Sequence, residues 1–508
     1  MSFFPRVAPV LLGLSILALP PLAQAGGQSV SLTILHTNDW HGYAFEQEYK
    51  GRLSGGVAAC AAEVARVRKE RPGQVLVLDA GDLLSGHSAA RFEAEGVRGL
   101  PFVKLWDRIG YDAWAIGNHD LDHGRANLVA MLEKIESPAL CANWLSLTPH
   151  GGPPHPARDP APVACRPFMV FERAGLKIGV VGLVTHDLRD LVSAKTLAGS
   201  FVASPTEALE QLWPVLDEQS DIQIALTHNG LDADRELAKA LPGLEAIVGG
   251  HSHRFLREPV VEGEVVIVQA GCYGKVLGRL DLEISDGKVV KSEGRLLNLP
   301  RPADESIEPG LLAAEKALRE KVRVLEAEVI GTVPADFGRS YYQPSPLGAE
   351  VAEAFRRAAK ADIAFVNSGG LRTDLSAGPL TRAQLMELLP FDNELVSFRL
   401  TGAEVEQICR YNAVAAQTEA HGILQVAGLD YTYSPGASPD EVVLGKIAVG
   451  SKPLEAAKSY LCTGSDYITS TRAEKYFGRT IDERTNLGVS VREAFERAVR
   501  TGEEEASE

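Results

Sequence analysis

Cysteine is scarce in this chain: six among 508 residues, at positions 60, 141, 165, 272, 409 and 462. No pair has CxxC or zinc-finger spacing, which argues against cysteine-ligated metal. Basic residues are also in deficit, 51 Lys and Arg against 67 Asp and Glu, for a formal net charge of -16. Such a surface repels polyphosphate backbones, so general nucleic-acid binding is not expected, and a small anionic ligand needs something locally positive to hold it. No membrane span is expected either. The apolar run Val7–Leu19 falls short of the ~20 residues that a spanning helix requires. With 45% hydrophobic and 23% charged residues, the chain is too apolar to be mainly disordered and long enough for about two or three domains.

What is present begins with an export signal. Arg6 is the one charge in the first 25 residues, the apolar run follows, and Ala23-Gln24-Ala25 offers small residues at the positions that a signal peptidase reads. The expectation is a signal peptide over residues 1–25, cleaved after Ala25, and a periplasmic or secreted product. Export permits disulfides, and Cys141 with Cys165 would close a loop across the Pro/Gly-rich stretch 147–167. The other four cysteines sit in apolar patterns and read as buried thiols.

From about residue 30 to 300, short apolar β-type runs alternate with amphipathic helical stretches such as Val57–Lys69 and Leu100–Ile109, a pattern of α/β layered domains. Residues 301–330 read as a Pro- and acid-rich linker followed by a helix over 311–329. A second α/β region occupies 331–498, and 499–508 forms an acidic tail. No internal repeat is visible.

The polar residues fall in a telling place. Five expected strands run into metal-capable side chains: Asp39 and His41 after 30–38, Asp82 after 74–79, Asn118 and His119 after 113–117, His228 after 222–227, and His251 and His253 after 246–250. In layered α/β folds the carboxyl ends of the strands share one edge, where ligands gather. Nitrogen and oxygen donors of this kind suit Zn, Mn, Co or Mg. Asp39, His41 and His253 would cap one ion and Asn118, His228 and His251 a second, with Asp82 as the bridge. Two such ions share a hydroxide and clamp a phosphoryl oxygen. His119 stays free to reach the leaving oxygen, and Asp122, three residues on, orients its imidazole. His87, His123, His150, His155, His186 and His421 read instead as surface or packed residues.

Five blocks, ILHTNDWHG, LDAGDLLSG, GYDAWAIGNHDLDHG, LTHNG and GGHSH, span residues 34–253 in this order. They resemble the successive motifs of the exported 5′-nucleotidase family, which also contains UDP-sugar hydrolases and cyclic-nucleotide phosphodiesterases. NSGGLRTDLSAGPLTRAQLMELLPFDNELVSFRLTG (367–402) continues the match. The resemblance implies a metallophosphoesterase β-sandwich flanked by helices with two divalent ions, and a linking helix to a rotating C-terminal substrate-binding domain. It implies that Asp39, His41, Asp82, Asn118, His228, His251 and His253 are the ligands and that His119 with Asp122 is the transition-state dyad. Asn367 and Arg372 match substrate contacts, Arg372 facing phosphate. Phe391 matches one of two rings that sandwich a base, and Tyr467 falls near the second.

Two stretches depart from the family. RSYYQPSPLG (339–348) stands where additional phosphate-binding arginines are expected, with only Arg339 nearby and offset. STRAEKYFG replaces the usual GGDGY-like turn after Tyr467. Losing an arginine fork removes bidentate phosphate recognition. The catalytic blocks are intact, and on them the leading expectation is a 5′-nucleotidase that acts on a small-molecule phosphoester, a nucleotide. The alternatives are the same metals on another substrate (thiosulfohydrolase, UDP-sugar or cyclic-nucleotide hydrolase) and a non-catalytic binding protein.

Overall fold

The computed structural model describes residues 29–506, apart from 148–154, 157–158, 160, 193–194, 392, 420–421, 439–440, 471 and 482. The expected signal peptide, His150 and His421 lie outside the described residues.

Two six-stranded sheets make the N-terminal half. In the first, the parallel strands Val30–Thr37, Val75–Asp79, Ala113–Ala115 and Ala139–Leu140 lie side by side. The antiparallel strands Val276–Ser285 and Lys288–Asn298 extend it. The second sheet centres on the parallel strands Leu176–Val184, Ile222–His228, Ala246–Gly249 and Val265–Val268. Strands such as Val75–Asp79 and Ile222–His228 are buried at every position, which is why they read as continuous apolar runs rather than alternating ones. The inner faces meet through Leu32, Ile34, Leu76 and Leu78 on one side and Ile178, Val180, Ile224 and Val248 on the other. Helices Val57–Glu70 and Leu100–Asp107 cover one outer face, and Pro205–Gln219 with Leu231–Ala240 the other.

The expected 311–329 helix runs Pro309–Glu326, because Glu308 caps it by accepting from Gly310 and Leu311 N–H groups and Pro309 occupies its first turn. Leu311, Leu318 and Val322 join the core of the first half. Buried Glu315 receives Arg301 at 2.6 Å and Arg319 at 2.8 Å, and Arg319 also reaches Glu46 at 2.7 Å. Just beyond the helix, Glu328 pairs instead with Arg382 of the second half at 2.9 Å. The linking helix is thus fastened to the first half.

The second half is built on a five-stranded mixed sheet in the order Leu424–Ala427, Ile363–Asn367, Ser459–Ser465, Glu394–Thr401 and Arg484–Ser490. Helices Pro346–Ala359 and Val491–Ala506 cover one face, and Gly402–Thr418 the other. The boundary expected at 498/499 falls inside the last helix, so the expected tail is helical as far as Ala506. All six cysteines are free. Cys165 Sγ lies 3.9 Å from the Cys141 carbonyl oxygen, so the two expected to pair are neighbours.

Candidate metal centre

Because the central strands are parallel, their carboxyl ends open on one edge. The loop after Val30–Thr37 and the loop after Val75–Asp79 are zipped together there: Asp39 N–H donates to Gly81 O (2.8 Å), His41 N–H to Asp82 O (3.0 Å) and Gly42 N–H to Leu83 O (2.9 Å). The turns are sharp enough to put Asp39, His41, Asp82, His251 and His253 in the left-handed region, with φ of 54°, 47°, 60°, 71° and 54°. Non-glycine residues occupy that region at a cost, which surrounding structure must hold in place.

Each carboxylate divides its work. Asp39 Oδ2 accepts from Asn38 Nδ2 at 2.6 Å and His251 N–H at 3.0 Å, while Oδ1 faces His253 Nε2 at 3.1 Å and His41 Nε2 at 3.7 Å. Asp82 Oδ1 accepts from His119 N–H at 2.8 Å, while Oδ2 faces His228 Nε2 at 3.0 Å and His41 Nε2 at 3.8 Å. The imidazoles are oriented in the same way. His228 Nδ1 meets the Ala80 carbonyl at 2.7 Å and His41 Nδ1 the Leu84 carbonyl at 3.2 Å. A carbonyl only accepts, so the proton sits on Nδ1 and Nε2 turns inward, the arrangement of metal-ligating histidines. Paired ring nitrogens then converge, His41 with His253 at 3.2 Å and His251 with His228 at 3.3 Å.

Two groups result, Asp39–His41–His253 and Asp82–His228–His251, in each of which the ligand atoms lie within 4.8 Å of one another. Buried Asn118 Oδ1 has no hydrogen-bond partner among the described residues. Converging nitrogen lone pairs, carboxylate oxygens and an orphaned amide oxygen are what a pair of divalent cations would satisfy. Asp82 falls with the second group and lies 3.8 Å from His41 Nε2 of the first.

Electrostatics agree with the geometry. Burial would raise the Asp39 carboxyl, but contacts with His253 and His41 hold it well below the usual range. Burial would lower His228 and His253; the Asp82 and Asp39 carboxylates nevertheless bring them to about 9 and about 10. His251, buried and beside His228, is pushed down to about 4.

His119 lies beside this cage, its ring 5.2 Å from that of His41 and its side chain one-third exposed. Nδ1 is 2.7 Å from Asp122 Oδ2. Burial opposes its charge, but Asp122 and Asp82 prevail and raise it to about 10.

Sequence reasoning missed Asp120. Its buried carboxylate accepts four backbone N–H groups: Leu83 (2.8 Å), Leu84 (3.3 Å), Asp82 (3.1 Å) and Gly117 (2.8 Å). It thereby ties the Asp82 loop to the Asn118–His119 turn. A Cβ on Gly117 would collide with Asp82, so only glycine lets these two loops approach. Trp40 is a packing residue: it is fully buried and donates Nε1–H to Thr37 at 3.1 Å. His87 caps a short turn by accepting from Ala89 N–H and is not part of either group.

In the second half, Asn367 and Phe391 line one cleft together with Gly370, Asn393 and Ser465. Arg372 adjoins it, with Nη1 donating to Gly369 O at 3.2 Å. Tyr467 does not line this cleft. It lies two residues after Ser465, its hydroxyl held by Arg472 at 3.0 Å. Tyr341, from the block that replaces the expected arginines, packs on Gly369 and Gly422. The acids of this half nearest His119 and Asp122 are raised, Asp466 to about 6 and Glu394 to about 7, chiefly by burial.

A two-layer sandwich with twin carboxylate–imidazole groups at one strand edge is the arrangement of a metallophosphoesterase, here joined to a second α/β domain. The calcineurin-like phosphoesterase model matches residues 32–255, and the 5′-nucleotidase C-terminal domain model matches 329–477. The chain belongs to the 5′-nucleotidase family of calcineurin-like metallophosphoesterases and is a metal-dependent phosphoric ester hydrolase. It is 28% identical over 473 residues to a 5′-nucleotidase of Vibrio cholerae, covering 82% of each chain. The structure of a 5′-nucleotidase precursor from Thermus thermophilus matches with TM-score 0.66 and 26% identity, over 93% of this chain and 96% of that one. The sulfate thiohydrolase SoxB of Thermus thermophilus, at 19% identity and TM-score 0.64 over 93% and 94%, shares the fold.

Proposed function

We propose that this protein is an exported 5′-nucleotidase that hydrolyses nucleoside 5′-monophosphates to nucleoside and phosphate. The observation that carries the proposal is the twin cage with the His119–Asp122 pair at its rim. Asp39, His41 and His253 would hold one divalent cation and Asn118, His228 and His251 a second, with Asp82 shared between them. When bound, such ions supply an activated water and neutralise phosphoryl charge. His119, kept protonated by Asp122, donates its proton to the leaving oxygen. Arg372 holds the phosphate, Asn367 contacts the substrate, and Phe391 stacks the base. Residues 1–25 direct export.

Phosphate release from AMP and from 4-nitrophenyl phosphate, with Mn or Zn added to purified mature protein, tests the assignment. Strong preference for AMP is expected, and equal or better use of the aryl ester refutes the nucleotide part. One observation favours a second reading, in which the same centre serves another ester. Where the family has further arginines this chain has Tyr341 and Tyr342, and Arg339 is turned to the Leu371 carbonyl at 3.4 Å and Asp374 at 3.9 Å. Activity on the aryl ester alone selects that reading.

A further inference from the structure

Ser85 belongs to the loop that carries Asp82 and lies six residues beyond Asp79, where the strand ends. Its side chain donates Oγ–H to Asp122 Oδ2, the same oxygen that receives His119 Nδ1 at 2.7 Å. The backbone there is left-handed, φ 67°, and Gly86 follows at φ 91°. Serine gains nothing from that conformation, which glycine adopts freely, so the side chain has to account for the residue. Ser85 is nearly buried, whereas His119 and Asp122 are partly exposed. The hydroxyl therefore grips the carboxylate from beneath while the imidazole stays open to the cleft. From the opposing domain Glu394 and Asp466 face the dyad, their carboxyls raised to about 7 and about 6 chiefly by burial. The Ser85 hydroxyl, a donor from the metal loop, holds Asp122 towards His119.

We propose that Ser85 is a positioning residue of the hydrolysis: its hydroxyl fixes the Asp122 carboxylate so that His119 is set to protonate the leaving oxygen. This rests on the reading of His119 as the general acid. Because Ser85 and Asp82 share one loop, which Asp120 anchors at Asp82, Leu83 and Leu84, the hydroxyl also ties the acid's position to that of the cage. Proton transfer from His119 matters most when the leaving group is strongly basic and least when it departs readily as an anion.

The test compares phenyl phosphate with 4-nitrophenyl phosphate, two esters of similar shape whose leaving groups differ in basicity, on full-length protein with Mn added. Ser85→Ala removes the hydroxyl. Ser85→Gly removes it and relaxes the left-handed backbone, so loss of folding cannot mimic the effect. Both variants are expected to lower kcat on phenyl phosphate about 10-fold, the scale of outer-shell partners. On 4-nitrophenyl phosphate kcat should stay within about twofold, with KM and bound Mn unchanged on both esters. Added to His119→Ala, Ser85→Gly should cost nothing further, because the residue acts through that ring. Equal loss on both esters, no loss on either, or full additivity with His119→Ala would overturn the proposal. His119→Ala alone decides the acid reading: if its loss is the same on both esters, that reading fails and the role of Ser85 falls with it.

Discussion

Replacing Asp120 probes the support of the centre without touching a ligand or the dyad. Asp120→Ala deletes a buried carboxylate that accepts four backbone N–H groups at 2.8–3.3 Å. A buried donor left without a partner costs ~1–3 kcal/mol. Some donors will find water in the space vacated, so the net loss expected is about 3–5 kcal/mol, at the upper end for point changes. The five tryptophans, at 40, 106, 114, 144 and 213, all lie in the first domain, and four of them are fully buried. Their fluorescence during urea unfolding therefore reports that domain alone. With a urea slope of ~3 kcal/mol/M the midpoint should fall by about 1–1.7 M. Metal content should fall as well, since Asp82 and Asn118 lose their common anchor. Asp120→Asn keeps one accepting oxygen and should lose roughly half as much. A shift below ~1 kcal/mol for Asp120→Ala would refute the claim that this carboxylate clamps the two loops.

Metal and protons should compete for the cage. Without bound metal, the Asp82 and Asp39 carboxylates hold His228 and His253 up at about 9 and about 10. Groups raised in this way add stability that is complete below the ordinary histidine value and is lost as pH rises through the folded values, so the melting temperature of the stripped protein should decline between about pH 6.5 and 10. Metal binding near pH 7 should release protons, and affinity should rise with pH; a binding heat independent of buffer ionisation enthalpy would contradict this. His119→Ala should lower kcat on AMP ~10²–10⁴-fold while bound metal stays the same, and equal loss of metal would remove its assignment to the dyad. Phe391→Ala should raise KM for AMP, by about 5- to 160-fold for a stack worth ~1–3 kcal/mol. An unchanged KM would show that the ring does not meet the base.

The parts of the centre that could be read without coordinates share a cause. Strands such as Ile222–His228 and Ala246–Gly249 are buried on both faces, so composition alone marks them, and parallel pairing puts their final residues on one edge. That made Asp39, His41, Asp82, Asn118, His228, His251 and His253 candidates by position and donor type. The substrate half was less legible. The cleft at Asn367 and Phe391 is assembled from segments far apart in the chain, and Tyr467 falls outside its lining although it is close in sequence to Ser465.

By itself, the sequence determined the order and burial of the strands, the chemistry of the side chains at their ends and the spacing of His119 from Asp122. These depend on contacts within a few residues, or on a periodicity that every position of an element repeats. Only the tertiary structure decided which oxygen of each carboxylate points inward, which tautomer each imidazole takes, and that Asp120 and Ser85 hold the loops. Those choices are made by backbone groups of other loops: Ala80 O on His228, Leu84 O on His41, and the amides gathered by Asp120. A backbone amide or carbonyl carries no sequence signature, so its direction is fixed only when the chain has folded around it.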